Sequence, residues 1–526
     1  MSTPEAVEIF DTTLRDGSQL EGLSLTVDDK LRIAEQLDHL GVHYIEGGWP
    51  GANPKDDEFF RRAAAGDLQL HTSTLVAFGS TRRANADAKT DETLKNLIDA
   101  GTQVVCIVGK AWDYHVTDTL LTMLDEGVAM VYDSVEYLRA QGLRVFYDAE
   151  HFFDGYKRNP EFSTAVILAA EAAGAEAVVL CDTNGGCLPH EVEQIVSEVT
   201  PKLETAKVGI HVHNDSGCAV ANTLAAVRAG ATHVQGVVNG YGERTGNANL
   251  CTIIPDLTLK MGVRTIPADR LERLTPVAHH IAELVNMSPD PQQPFVGSSA
   301  FAHKAGLHVS AIARRSDAYE HVSPDAVGNG TRFVVSELAG KSTLQMKARE
   351  IGLDLDSIAL GNVLEELKQL EHRGYHFEAA DGSLELLMRQ AAGWQQDFFE
   401  TESFRVITDA RENGRFVTEA TVKLLVDGER RVAVGEGNGP VNALDAALRI
   451  ALTSSYPALA RVHLTDYKVR VLDTAKGTGA VTRVLLDSTD GETTWSTIGV
   501  SENIIEASWQ ALCDSLVYGL LRAKEQ

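Results

Sequence analysis

Cysteine is scarce in this sequence. The 526 residues hold six, and Cys106, Cys181, Cys187, Cys218, Cys251 and Cys513 show no CxxC spacing. No disulfide framework is legible, and most of these thiols stand among apolar or small residues, where a buried, reduced state is expected. Positive charge is also in deficit, with 47 Lys and Arg against 74 Asp and Glu and a formal net charge of -27. A nucleic-acid partner is thereby excluded, because phosphate contacts need a basic surface. Any anionic ligand must be held by a local basic or dipolar site against that field. The acidity itself suits solubility and a salty cytoplasm equally. No apolar run approaches the roughly 20 residues that span a bilayer. The N-terminus MSTPEAVEIFDTTLRDG lacks the basic stretch and apolar core of a secretory signal. A cytoplasmic protein with no membrane partner is expected.

What is present is ordinary for a globular chain, 44% hydrophobic and 23% charged. The length exceeds one ordinary domain and builds a core without disulfide or structural metal. From Val7 to about Met261, short β-rich runs alternate with amphipathic helical segments such as DDKLRIAEQLDHLG. The runs are VEIFDT, HYIEGGW, LQLHTSTLVAF, TQVVCIVG, RVFYDAEHF, AVVLCDT, KVGIHVHN and THVQGVVNG. Eight strands alternating with helices fit an α/β fold of the (β/α)8 TIM-barrel type, and a doubly wound open sheet satisfies the same alternation. The barrel is favoured because polar motifs recur at the C-terminal ends of many strands rather than at one switch point.

Residues 266–397 read as mostly helical linker subdomains. From Phe398 the texture changes to a hairpin followed by a helix, and then to further strands closed by a second helix. Duplicated β-β-α units in an α+β domain, without acid–base clusters, suggest a regulatory or dimerisation module. The expected domains are therefore 1–265, 266–397 and 398–526.

The motif HVHND places His211 and His213 two apart on a strand, so both imidazoles share a face. At the C-terminal end of a barrel strand they are placed to bind a divalent cation, and a pair of hydrogen-bonded core histidines is the competing account. The first strand ends in Thr12-Thr13-Leu14-Arg15-Asp16-Gly17, where Asp16 offers a hard oxygen ligand and Arg15 a bidentate grip for a carboxylate. Alone, an Arg-Asp pair in a turn reads as a surface ion pair. After the eighth strand, Gly240, Gly242 and Gly246 alternate with polar residues in GYGERTGN. That spacing suits either a tight inward-facing loop or a solvated turn.

Together, DTTLRDGSQ, HVHND and GYGERTGN, in that order, resemble the DRE-TIM metallolyases. Within them the chain is similar to the 2-isopropylmalate, homocitrate and citramalate synthases. The phrases FYDAEHFFDGYK, CDTNGG and AFAHKAGLHVSA look most like one branch of citramalate synthases. The C-terminal module resembles the allosteric dimerisation domain of such enzymes, so the similarity covers nearly the whole chain.

The resemblance implies a divalent cation (Mg, Mn or Zn) held by Asp16, His211, His213 and Asn247. It implies condensation of acetyl-CoA with a small 2-oxo acid, pyruvate in the preferred case. Arg15 would hold the forming oxyanion or the substrate carboxylate, and Thr183 matches the threonine that bonds the acceptor's carboxylate. By itself Thr183 also reads as a residue closing an Asx-type turn after Asp182. Glu150 corresponds to a catalytic glutamate, and His308 to a linker histidine that in relatives reaches the partner subunit's site. Tyr319 assists that histidine, and the division of proton transfer between Glu150 and His308 stays open. Ser310 departs from the pattern, since some citramalate synthases carry an acid there. A homodimer and an isoleucine effector follow from the same resemblance. A larger acceptor, as in 2-isopropylmalate or homocitrate synthesis, is the alternative. A retro-aldol acyl-CoA lyase is disfavoured because GYGERTGN lacks the cysteine those enzymes carry.

Overall fold

Eight parallel strands close into a barrel in sequence order. They are β1 (Glu8–Asp11), β2 (Tyr44–Gly48), β3 (Thr74–Ser80), β4 (Val104–Lys110), β5 (Arg144–Glu150), β6 (Ala177–Asp182), β7 (Lys207–Val212) and β8 (His233–Gly236). Each overlaps one of the eight predicted runs. Closure comes from β8 pairing with β1, with Phe10 opposite Gln235, so the open-sheet alternative falls. The computed structural model describes residues 3–525 apart from 305–307, 309–310, 313, 335–340, 411–415, 473–476 and 478.

The helices between strands begin and end on local chemistry. In Val27–Leu40 the Thr26 hydroxyl accepts from the Asp29 amide, and the Asp29 carboxylate accepts from the Thr26 amide. Gly41, at φ 93°, then ends the helix in the left-handed region, where a side chain would be strained. The apolar faces of such helices bury against the outside of the barrel.

Inside the barrel, side chains fill rather than line a channel, as layered packing requires. Phe10, Tyr44, Phe146 and His233 form an aromatic layer, with Tyr44 and Phe146 edge-to-face at 5.0 Å and Phe146 and His233 at 5.1 Å. Two residues further along the same strands, Glu46, Asp148 and Gln235 replace these rings, and all three are buried. The strand period thus carries the interior from apolar to polar toward the C-terminal ends.

Packing divides the chain into two compact units, Met1–Phe301 with Glu320–Thr331, and Ala302–Tyr319 with Arg332–Gln526. The stretch 266–397 contributes to both. In the second unit β9 (Ala302–His303) pairs with β10 (Arg332–Phe333). Helices Ser357–His372 and Asp381–Ala391 share a core around Val363, Leu367 and Met388.

Beyond them lie β11 (Glu400–Ala410), β12 (Phe416–Val426) and β13 (Glu429–Gly437) with the helix Pro440–Leu452. A second set follows: β14 (His463–Val471), β15 (Thr482–Thr489), β16 (Thr494–Ser501) and the helix Ile504–Glu525. The duplication is present, but each unit holds three strands where the β-β-α reading has two. β11 and β14 are edge strands exposed along most of their length, where the alternating burial that marks β12 and β15 shrinks to a few half-buried residues such as Phe404, Val406 and Tyr467. The two units share a packing device. A Cβ on Gly435 would stand 2.4 Å from the Ala447 amide nitrogen, and one on Gly499 would stand 1.9 Å from the Ala507 carbonyl oxygen. In both, glycine lets the helix lie on the third strand.

Candidate active site

The β1 end is shaped by Asp11, whose buried carboxylate accepts from the Thr13 amide at 2.8 Å and the Thr13 hydroxyl at 2.9 Å. The same hydroxyl accepts from the Val238 amide at 3.0 Å, tying the loop to the chain after β8. Gly17 is needed there, since a Cβ would meet Val237 at 2.8 Å. Held so, the loop turns Arg15 and Asp16 over the barrel mouth.

Asp16 Oδ2 lies 3.1 Å from His211 Nε2, 3.7 Å from His213 Nε2 and 3.3 Å from Arg15 Nη1. Burial alone would raise its pKa. The Arg15 charge, then His211 and His213, overcome this and hold the carboxyl well below the usual carboxylate range. Burial, and then the neighbouring His211, push the His213 imidazole down to about 4. His211 moves the other way: burial lowers it, but the Asp16 hydrogen bond and charge raise it on balance.

Asn247 arrives by backbone pairing. The loop after β8 folds back so that His213 and Asn247 form an antiparallel bridge, with Asn214 donating to the Gly246 carbonyl at 2.9 Å. Gly242 makes the approach possible, because a Cβ there would stand 2.2 Å from Asn247 Nδ2. That nitrogen donates to the Tyr241 carbonyl at 3.2 Å, while Oδ1 is buried with no hydrogen-bond partner. An orphaned buried acceptor costs about 1–3 kcal/mol, so an unpartnered amide oxygen on the residue bridged to His213 fits a cation ligand. The ligand atoms of Asp16, His211 and His213 lie within 4.8 Å of one another, and among the described residues no other trio converges in this way. One carboxylate, two imidazoles and an amide oxygen suit Mg, Mn or Zn.

Arg15 is locked on two sides. Its Nε donates to Glu46 at 2.6 Å, and its guanidinium lies 3.8 Å from the Phe78 ring centroid. Glu150, at the end of β5, is ion-paired with Lys110 at the end of β4, directly opposite it in register. The Thr183 hydroxyl oxygen accepts from the His151 amide at 3.0 Å, which leaves its own proton to donate. The Thr183 carbonyl accepts from Arg244, whose guanidinium also grips Asp215 at 2.7 and 2.9 Å.

Arg15, Asp16, Glu150, Thr183, His211 and His213 all line one cavity of about 210 Å³. That is below the ~300–1,000 Å³ typical of drug-sized ligands, so a small molecule fits it. His308 and Tyr319 lie in the second unit, where their rings stack on each other at 4.1 Å and 25°. Ser310 lies outside the described residues. Sequence reasoning passed over Glu46, Asp148, Gln235 and Lys110. The signal for the first three was a polar residue at an inward-facing position of an apolar strand.

Residues 6–276 match the HMGL-like family, 295–375 the homocitrate synthase post-HMGL domain-like family and 378–520 the LeuA allosteric (dimerisation) domain. The chain is 54% identical to an (R)-citramalate synthase of Streptomyces coelicolor, covering 99% of this chain and 97% of that one. It is 52% identical to an (R)-citramalate synthase of Aquifex aeolicus, covering 99% of each chain. To the (R)-citramalate synthase of Synechocystis it is also 52% identical, over 97% of this chain and 96% of the other.

Proposed function

The chain belongs to the (R)-citramalate synthase family, and from that premise we propose how its residues join the acetyl group of acetyl-CoA to pyruvate. The reaction is a Claisen-type condensation followed by thioester hydrolysis, giving citramalate and CoA, with the (R) product as in the relatives' names. One observation carries the site reading: Asp16, His211 and His213 converge within 4.8 Å, and Asn247, whose amide oxygen has no partner, is bridged by backbone to His213.

A divalent cation bound by these four residues would polarise the acceptor's keto oxygen and offset alkoxide charge. Arg15, fixed by Glu46 and Phe78, presents its guanidinium beside Asp16 to the forming oxyanion or the acceptor carboxylate. Thr183 donates its free hydroxyl proton to that carboxylate. The acetyl methyl is a weak acid and needs a positioned base. Glu150, oriented by Lys110, and His308, stacked on Tyr319, supply the proton transfers between them.

The matched dimerisation domain supports a homodimer assembled through residues 398–526, with 1–265 as catalytic domain and 266–397 as linker. Isoleucine is the proposed effector of the C-terminal module, in a cytoplasmic enzyme of isoleucine biosynthesis. Calorimetry with isoleucine, leucine and lysine tests this, and no heat with any of them removes it.

The test of the main reading is CoA release with pyruvate, 2-oxoisovalerate and 2-oxoglutarate, with EDTA and His213→Ala as controls. Pyruvate is expected to be preferred and both controls to abolish turnover. Preference for a larger acid overturns the acceptor, and full activity in EDTA overturns the cation.

A further inference from the structure

Gln235 sits on β8 inside the barrel, opposite Phe10, with no exposed surface. Its amide spans the lumen between two other strands. Oε1 stands 2.8 Å from His211 Nδ1 on β7, and Nε2 donates to Asp148 Oδ1 on β5 at 2.9 Å. We propose that Asp148 and Gln235 form a relay that fixes the tautomer of His211, with Gln235 the positioning residue; this rests on the cation reading above.

The argument follows from which atoms donate and which accept. A carboxylate accepts, so the amide nitrogen of Gln235 faces Asp148 and its oxygen faces His211. An amide oxygen also only accepts, so the proton of the neutral imidazole resides on Nδ1. Nε2, 3.1 Å from Asp16, is then the nitrogen whose lone pair a cation would take in place of the proton it otherwise shares with that carboxylate. Turning the amide over would set its oxygen against the Asp148 carboxylate and an N–H against Nδ1. The imidazole proton would then sit on Nε2 and block that nitrogen as a ligand. Burial on all sides removes water as a substitute partner for either end of the amide.

His213 provides the contrast. Its Nδ1 is buried without a hydrogen-bond partner, so nothing equivalent sets its tautomer. Of the two imidazoles, His211 arrives pre-set and His213 adjusts. Outer partners of this kind are worth about 10–100-fold in metal affinity.

The experiment is calorimetric titration of metal-free protein with Mn2+, with histidine side-chain 15N NMR as the second readout. Gln235→Leu should weaken Mn2+ about 10–100-fold and remove the protonated Nδ1 signal of His211. Gln235→Glu keeps an acceptor for His211 but opposes two carboxylates, so it should also bind weakly. Adding Asp148→Asn to Gln235→Glu restores a donor facing an acceptor at unchanged total charge, and should recover wild-type affinity. Should Gln235→Leu fail to fold, the single and double Glu variants decide. Mn2+ affinity of Gln235→Leu within about twofold of wild type, or Q235E no weaker than the double variant, overturns the relay while leaving the cation site standing. Wild-type protein that takes up no Mn2+ overturns the cation reading itself, and the relay with it.

Discussion

The Nε of Arg15 lies 2.6 Å from a carboxylate oxygen of Glu46, a residue with no exposed surface. The other carboxylate oxygen of Glu46 has no partner, so the pair depends on this contact. Burial pushes the Glu46 carboxyl up to about 7 against the opposing pull of Arg15. Removing one member of a buried pair strands the other, at a cost of about 3–5 kcal/mol. Glu46→Ala is therefore expected to lower thermal stability markedly. Glu46→Gln keeps the shape and releases the orientation of Arg15, and should lower kcat by about 10²–10³ if Arg15 meets the oxyanion. Steady-state CoA release beside thermal melts checks both, and unchanged kcat in Glu46→Gln sinks the role given to Arg15.

Gly246→Ala separates the loop from the ligand it carries. Gly246 has φ 88°, and a Cβ would stand 2.0 Å from the Gly240 carbonyl oxygen. The left-handed backbone alone costs a non-glycine residue about 1–2 kcal/mol, and the clash forces the loop to move. Asn247 moves with it. The variant should lose Mn2+ affinity as Asn247→Ala does, with a lower melting temperature that Asn247→Ala lacks. Wild-type affinity in both would remove Asn247 from the ligand set.

At the opposite end of the barrel, Glu8 accepts from Lys207 Nζ at 2.7 Å and faces His233 Nδ1 at 3.5 Å. Burial works against the carboxylate, but His233 and then Lys207 bring its pKa from 4.5 down to about 2. A depressed folded-state value means the stabilisation is fully present above about 4.5 and is lost as pH falls toward about 2. Urea unfolding of Glu8→Gln should show a deficit at pH 7 that shrinks through that window. A deficit independent of pH contradicts the assignment.

The barrel was legible because strand and helix periods alternate cleanly from Val7 to Met261, and the polar residues of DTTLRDG and HVHND stand at strand ends. Asn247 was a different matter. Nothing in GYGERTGN says that the loop pairs back against His213, and only resemblance pointed to it. Glu46, Asp148 and Gln235 were hidden in runs read as hydrophobic strands, because a single inward polar residue barely alters such a pattern. β11 was missed for the reverse reason: exposed along most of its length, it buries in part only Phe404 and Val406, too short an alternation to mark a strand. The stack of His308 on Tyr319 joins residues well apart in sequence, a contact that local propensity does not encode.

His308 and Tyr319 carry the remaining prediction. Their rings stack at 4.1 Å, so Tyr319→Phe keeps the stack and Tyr319→Ala removes it. If His308 moves a proton in the condensation, His308→Ala should lower kcat by about 10²–10⁴. The KM for pyruvate should change little, because Arg15 and Thr183 are intact. Tyr319→Ala should fall well below Tyr319→Phe if the stack positions the imidazole. A dimer permits a stronger test. Asp16→Asn and His308→Ala chains are each expected to be inactive alone. Should His308 act on its partner's barrel, a hybrid dimer restores one complete site, and an equal mixture of the two chains recovers about a quarter of wild-type activity. Recovery requires that both defects fall in one site of the hybrid and leave the other intact, whereas a histidine serving its own chain puts one defect in each site. No recovery from a mixture shown to contain hybrids would assign His308 to its own chain.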